Sequence, residues 1–260
     1  MSIKPVTLPC LFCLLVLLAT SSCSRDAGVG LPAKMTWHIQ YSGAVDYSLD
    51  VDMYNLDLFE IGADKIQMIK DRGVLVVCYF SAGSYEDWRP DAGDFPIETL
   101  GKPMHEWEGE SWLDIRNIES LRPVIERRLD LAVNKGCDGV DPDNVNGYES
   151  DTGFPLTYED QIEFNIFLAG AAHERGLAIG LKNDLDQIED LLPYFDWIIN
   201  EECFSYNECE LLLPFVESGK PVFVIEYDLS PRMFCEAANR MNFNGLHKNR
   251  DLDAYQIACR

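Results

Sequence analysis

The sequence predicts a single-domain α/β fold: a (β/α)8 barrel of TIM type with a long loop after its third strand. Three observations lead there. Short apolar strands alternate with amphipathic helices along most of the chain. Eight such strands fall within the 238 residues that follow an N-terminal leader, close to the ~250 residues typical of this barrel. Polar side chains gather at the C-terminal ends of those strands, whereas their starts follow ordinary helix-stop residues.

The strands expected in order are Trp37–Tyr41, Leu56–Ile61, Val74–Phe80, Gly139–Asp141, Leu177–Leu181, Trp197–Ile199, Val222–Glu226 and Phe243–Leu246. Their cores are β-branched, aromatic or continuously apolar, as expected where both faces are covered. Helical patterns lie between them at Ala63–Arg72, Ile118–Asn134, Tyr158–Arg175, Leu185–Leu192, Glu208–Glu217 and Arg232–Met241. In the third, Ile162, Ile166, Leu168 and Ala169 recur at helical spacing while Glu159, Asp160, Glu163 and Arg175 form the wet face. Gly136, Gly176 and Gly219 stop three of the helices. Ser42–Asn55 lacks helical periodicity, so no helix is expected after the first strand. A doubly wound open sheet is the alternative, but it would ordinarily show a Gly-rich turn after an early strand, and none is present.

Lys4, the apolar run Leu8–Leu18 and the small residues Ala19–Ser22 describe a secretory signal peptide over residues 1–22. The run is shorter than the ~20 apolar residues a membrane span needs. Cleavage before Cys23 would suit a bacterial lipoprotein, although Thr20 stands where a lipobox usually has Leu. Residues 24–34 then form a short linker and 35–260 the barrel domain. The chain is expected to be secreted or held at the cell surface, touching a membrane only through a lipid on Cys23. Seven cysteines survive the leader, and six remain as an even set if Cys23 is lipidated. Export permits disulfides; Cys203–Cys209 and Cys235–Cys259 are the pairs expected, with Cys78 read as a simply buried thiol.

Aspartate and glutamate number 44 against 21 lysines and arginines, a net charge of −23 that argues against general nucleic-acid binding. Removing Lys4 with the leader takes it to −24. No His-Glu-x-x-His, Gly-x-Ser-x-Gly or phosphate-binding Gly-x-x-x-x-Gly-Lys occurs, which removes the zinc hydrolase, serine esterase and nucleotide-binding readings. The expected strand ends carry Gln40 and Tyr41, Glu60, Tyr79 and Ser81, Asp141-Pro-Asp143-Asn144, Lys182-Asn183, Asn200-Glu201-Glu202 and Glu226-Tyr227. Two carboxylates on different strands flanking a cleft are what glycoside hydrolysis requires. The candidates are Asp141 or Asp143 on the fourth strand and Glu201 or Glu202 on the sixth. Strand alternation is expected to aim one of each pair at a substrate. The competing reading makes these acids loop caps or ligands of a structural cation. The segment Ser81–Ile115 far exceeds a βα loop of ~2–6 residues and holds Tyr85, Trp88, Phe95, Trp107 and Trp112 among acidic residues. Aromatic faces there suit sugar rings, with Trp112 read as folded back onto the barrel.

The runs Cys78-Tyr-Phe-Ser-Ala-Gly-Ser-Tyr-Glu86, Gly139-Val-Asp-Pro-Asp-Asn144, Leu181-Lys-Asn-Asp184 and Asn200-Glu-Glu-Cys-Phe204 resemble those of the glycoside hydrolase family 114 endo-α-1,4-polygalactosaminidases. Trp37-His-Ile-Gln-Tyr-Ser-Gly43 and Asp57-Leu-Phe59 fit its opening strands, so the likeness runs from about Trp37 to Asp253. The resemblance implies a (β/α)8 fold, no metal or cofactor, and endo-cleavage of partly deacetylated α-1,4-linked galactosamine polymers, a cationic aminosugar substrate. It implies Asp143 and Glu201 as the catalytic pair, with Asp141 and Glu202 ranked second. Asn146 departs from the pattern, where Asp is expected. On this reading Asp143 is the nucleophile and Glu201 the general acid/base, with a raised pKa. Tyr79, Asn144, Lys182, Asn183 and Glu226 orient the sugar, and Trp37, Trp88 and Tyr148 are stacking platforms. A monomer is expected. The alternatives are a non-catalytic barrel that binds aminosugar polymers, and a hydrolase of another cationic polysaccharide such as a glucosamine polymer.

Overall fold

The structure, a computed structural model, describes residues 31–105 and 107–260; the leader and Cys23 lie outside them. Eight parallel strands run in chain order around a nearly closed barrel: β1 (Trp37–Gln40), β2 (Met53–Asp57), β3 (Leu75–Ser81), β7 (Gly139–Asp143), β8 (Ala178–Lys182), β9 (Trp197–Glu201), β10 (Val222–Glu226) and β11 (Asn244–Lys248). Strand β12 (Gln256–Ala258) adds antiparallel to β11. The Trp37 indole N–H donates to the Asn244 carbonyl (3.0 Å), crossing the seam between β1 and β11.

Helices cover the outside: α1 (Ala63–Lys70), α2 (Ile118–Lys135), α3 (Tyr158–His173), α4 (Ile188–Leu191), α5 (Cys203–Tyr206), α6 (Leu213–Glu217) and α7 (Pro231–Arg240). Helix α2 buries Leu121, Val124, Ile125, Leu129 and Ala132 and ends on Gly136 in the left-handed conformation (φ 91°). Helix α3 starts in a capping box, Thr157 and Asp160 each satisfying the other's backbone N–H.

The alternation of side chains along each strand sorts them into two layers. Val76, Cys78, Phe80, Val140, Ile179, Leu181, Ile198 and Val224 point outward and pack under the helices. Trp37, Ile39, Met53, Val77, Ala178, Trp197, Ile199, Phe223 and Ile225 point inward and fill the barrel's lower part. Trp197 is the centrepiece of that inner layer. Gly139 and Gly180, on neighbouring strands, leave room for its indole: a Cβ at Gly180 would lie 2.1 Å from its Nε1, and one at Gly139 2.8 Å from its ring.

The long segment after β3 is not a loop but a small antiparallel sheet in the order β4 (Ser84–Glu86), β6 (Glu110–Leu113), β5 (Leu100–Pro103). Buried ion pairs hold it to the barrel. Arg89 meets both Glu86 oxygens at 2.7 Å and Asp57 at 2.8 Å. Arg128 of α2 meets Asp91 at 2.7 and 2.9 Å and the Ser81 carbonyl at 2.7 Å.

Three differences from the sequence reading have simple causes. The second strand is Met53–Asp57 rather than Leu56–Ile61, because the Asp57 carboxylate accepts the Phe59 and Glu60 N–H groups and turns the chain there. Cys78 is not a lone thiol: it is disulfide-bonded to Cys137, 59 residues on, which the parallel pairing of β3 with β7 brings alongside. The bonds Cys203–Cys209 and Cys235–Cys259 are as expected. Trp37 belongs to the inner core, 2% exposed and packed on Phe223 at the N-terminal end of the barrel, so it offers no face to a sugar.

Replacing Gly180 with Ala pushes a methyl group into the Trp197 ring, where neither backbone nor indole has room. We expect a loss of about 1–3 kcal/mol in denaturant unfolding; unchanged stability would show that the inner layer is not tightly packed.

Candidate active site

The inward-facing positions continue past the apolar layer to the C-terminal mouth of the barrel, where Tyr41, Asn55, Asp57, Tyr79, Ser81, Asp141, Asp143, Lys182, Glu201 and Tyr227 follow the same parity. Asp141 and Asp143 are two residues apart and so share a face. They differ in depth rather than direction. Asp141 is fully buried, its Oδ2 accepting from the Asn55 amide (2.7 Å) and the Tyr41 hydroxyl (3.0 Å). Burial lifts its carboxyl above the usual range, the Lys182 charge opposing. Asp143, one layer higher, accepts from the Tyr79 hydroxyl at 3.2 Å and from the Asn144 backbone N–H at 2.8 Å.

Lys182 stands at the centre. Its side chain is 2% exposed, and its Nζ lies 3.3 Å from Asp143 Oδ2 and 3.4 Å from Glu201 Oε2. Those two oxygens are therefore no more than about 7 Å apart. Burial alone would lower the lysine pKa, but Asp143, Glu201 and Asp141 around it hold it above the ordinary value, and it is an ammonium. Burial also acts against an ionised Glu201. The Lys182 charge outweighs it, together with hydrogen bonds from the Tyr227 hydroxyl, the Asn183 amide (3.3 Å) and Lys182, and the carboxyl sits below its usual range. The raised pKa expected of Glu201 is thus corrected: its neighbours are donors and a cation, which favour the charged form.

The chain turns sharply after each of these strands. Asn144 (φ 60°), Asn183 and Asp184 (both 52°) and Glu202 (65°) all take the left-handed conformation, uncommon outside glycine and concentrated at functional sites. The turn after β8 lets the Asn183 side chain grip Glu201 twice: its Oδ1 accepts the Glu201 backbone N–H (2.9 Å) and its Nδ2 donates to the Glu201 carboxylate (3.3 Å).

Comparison with known proteins adds the family. A model of glycoside hydrolase family GH114 matches residues 19–260. The chain belongs to glycoside hydrolase family 114. It is similar over 88% of its length, at 41% identity and a TM-score of 0.84, to the solved structure of Aspergillus fumigatus Ega3 in complex with galactosamine, covering 97% of that chain. The glycoside hydrolase domain of PelA from Pseudomonas aeruginosa shares the fold at 13% identity, with a TM-score of 0.69 over 86% of this chain and 98% of that one. A GH18 chitinase from Pseudoalteromonas aurantia shares the fold more loosely, at 13% identity and a TM-score of 0.51 over 82% of this chain and 93% of that one. No match is found among curated proteins.

Within this family 114 hydrolase the remaining predicted residues fall into place unevenly. Asn144 is tied down by Ser81, Ser84 and Glu110. Glu226 faces outward, fully buried, and accepts the Phe204 N–H (2.8 Å) and Ser205 hydroxyl (2.7 Å), so it anchors α5 and does not line the mouth. Glu202 lies at the rim, paired with Arg250 at 3.0 Å. Tyr148 is half-buried on the turn after β7, its hydroxyl donating to Glu149 at 3.1 Å. Trp88 is half exposed on the inserted sheet beside Arg89. A recess of about 640 Å³ lies elsewhere, between Trp107, Trp112, Lys102 and Asp151, and none of the inward-facing mouth residues borders it. Tyr41 and Tyr227 were read in the sequence as polar strand ends without a role, and Asn55 was missed because the second strand was placed at Leu56–Ile61; counting by twos from Trp37, Phe223 and Met53 reaches all three.

Replacing Lys182 with Met removes the charge that keeps Glu201 ionised. The Glu201 carboxyl should then titrate about one unit or more higher, as read by carbon-13 NMR; an unmoved midpoint would mean that Tyr227 and Asn183 suffice.

Proposed function

We propose that this enzyme makes endo-cleavages in α-1,4-linked, partly deacetylated galactosamine polymers, with Asp143 and Glu201 as the working pair. The observation that carries the reading is the placement of the two carboxylates on either side of Lys182 at the barrel mouth, in a chain 41% identical to a protein solved with galactosamine. The two oxygens that face Lys182 are at most about 7 Å apart, a bound that admits the ~5–5.5 Å of retaining enzymes and overlaps the ~6.5–9.5 Å of inverting ones; the course proposed is the retaining one.

Lys182 lies 3.3 Å from Asp143 and 3.4 Å from Glu201, so its charge acts on both carboxyls alike. An oxygen of one forms a bond to the anomeric carbon as the glycosidic C–O bond breaks, and the other gives its proton to the departing oxygen. Water, losing a proton to that second carboxylate, then attacks the same carbon and releases the first. Lys182 stays an ammonium throughout and limits repulsion between the two acids. Tyr79 and Tyr227 hold one carboxylate each. Trp88 and Tyr148 are left as stacking surfaces for neighbouring sugars.

Three disulfides fit an oxidising compartment. They support export through the leader of residues 1–22, with Cys23 as the candidate lipid anchor.

Asp143→Asn should abolish release of reducing ends from deacetylated galactosaminan, by a factor on the order of 10³ or more, with the fold intact by circular dichroism. Adding azide to Asp143→Ala assigns the roles: a β-glycosyl azide makes Asp143 the nucleophile, as expected from the sequence, and an α-glycosyl azide makes it the acid/base. The mature charge of −24 faces a polycation, so KM should rise with salt. A salt-independent KM would remove long-range attraction from binding.

A further inference from the structure

The recess of about 640 Å³ on the inserted sheet plays no part in the catalytic layer, yet it is built from the aromatic residues of that segment. One wall is β5, β6 and their connection, with Lys102, Met104, Trp107 and Trp112; the other is Ser150 and Asp151, beyond the turn that follows β7.

The two walls are fixed against each other. The Lys102 backbone N–H donates to the Thr152 carbonyl at 2.8 Å. A Cβ at Gly101 would lie 2.3 Å from that carbonyl oxygen, so the close approach of β5 to the turn requires glycine there. The Lys102 ammonium meets Asp151 at 2.5 Å, joining the walls a second time. Trp112 lies along the Gly147 backbone, where an added Cβ would stand 3.3 Å from its ring. Trp107, by contrast, is 51% exposed, and among the described residues no ring or cation stacks on it.

The recess is also continuous with the catalytic mouth. The segment that begins at Asp143 passes Tyr148 and reaches Asp151 after eight residues, a span of at most about 29 Å. Charge favours the same occupant as the mouth. Asp151 is well exposed and already holds one ammonium. Asp87 and Glu108 are exposed beside the Trp107 turn, with the Asp87 N–H donating to the Gly109 carbonyl at 3.1 Å.

We propose that this recess is a distal subsite for an amine-bearing sugar polymer. Trp107 stacks on a ring several units from the bond being cut, and Asp151, with Asp87 and Glu108 near it, attracts that sugar's ammonium. The choice of ligand rests on the aminosugar reading of the substrate; binding at the recess does not require cleavage. An extra hold far from the reacting bond favours long chains over short ones, as an endo-acting enzyme needs.

Trp107→Ala removes an exposed side chain. The ratio of kcat/KM on long deacetylated α-1,4-galactosaminan to that on a galactosamine trisaccharide should fall about 3–10-fold, through KM on the polymer, and Trp107→Tyr should restore most of it. An unchanged ratio overturns the proposal. Binding is read without turnover by calorimetry on Asp143→Asn, alone and combined with Trp107→Ala: the double variant should bind the polymer about 3–10-fold more weakly. Equal affinities overturn the subsite, and no polymer binding by either variant overturns the substrate class with it. Weaker binding by the double variant, where wild type releases no reducing ends from the polymer, upholds the subsite and overturns the proposed cleavage instead.

Discussion

One buried ammonium organises this molecule's chemistry. Lys182 sits out of water between two carboxylates, where its desolvation is offset by their opposite charge and that of Asp141. The dependence is mutual. Without that cation, two acids less than about 7 Å apart in a poorly solvated mouth would repel each other, and one would hold a proton. Everything that fixes the position of β8 therefore fixes the charge state of the site, including the Gly180 gap that seats Trp197 two residues below the lysine.

Depth and parity share the work of assigning roles along the strands. Asp141 and Asp143 look alike in sequence and point the same way. The lower one is closed in by Tyr41 and Asn55, and the upper one meets Lys182 and Tyr79. Glu201 and Glu202 differ by one residue and hence by side, and the same holds for Glu226 and Tyr227. The outward Glu226 spends its charge on the N–H and hydroxyl groups of α5, while Tyr227 reaches Glu201.

The inserted sheet is tied into the barrel mouth, where Ser84 and Glu110 meet the Asn144 side chain. Its buried arginine clasp, Arg89 with Glu86 and Asp57, ties β4 to the end of β2, and Arg128 ties the segment after β4 to α2. That rigidity is what allows a carboxyl on β6 to hold the turn beside Asp143 at hydrogen-bond distance.

Much of this was legible in the amino-acid order itself. The number and sequence of barrel strands, the family motifs and two of the three disulfides rest on local signals: apolar runs, turn residues, short loops. Asp143 and Glu201 were singled out by the family resemblance, and both lie beside Lys182. The second strand shifted because a single side chain, Asp57, ends it. Only tertiary structure decided the rest, for a common physical reason. A pKa, a disulfide between residues 59 apart, or the burial of Trp37 depends on what lies across the barrel, and that distance is invisible along the chain. Glu201 reads from its neighbours in sequence as one acid among others, and it is Lys182, 19 residues earlier and one strand over, that keeps it charged.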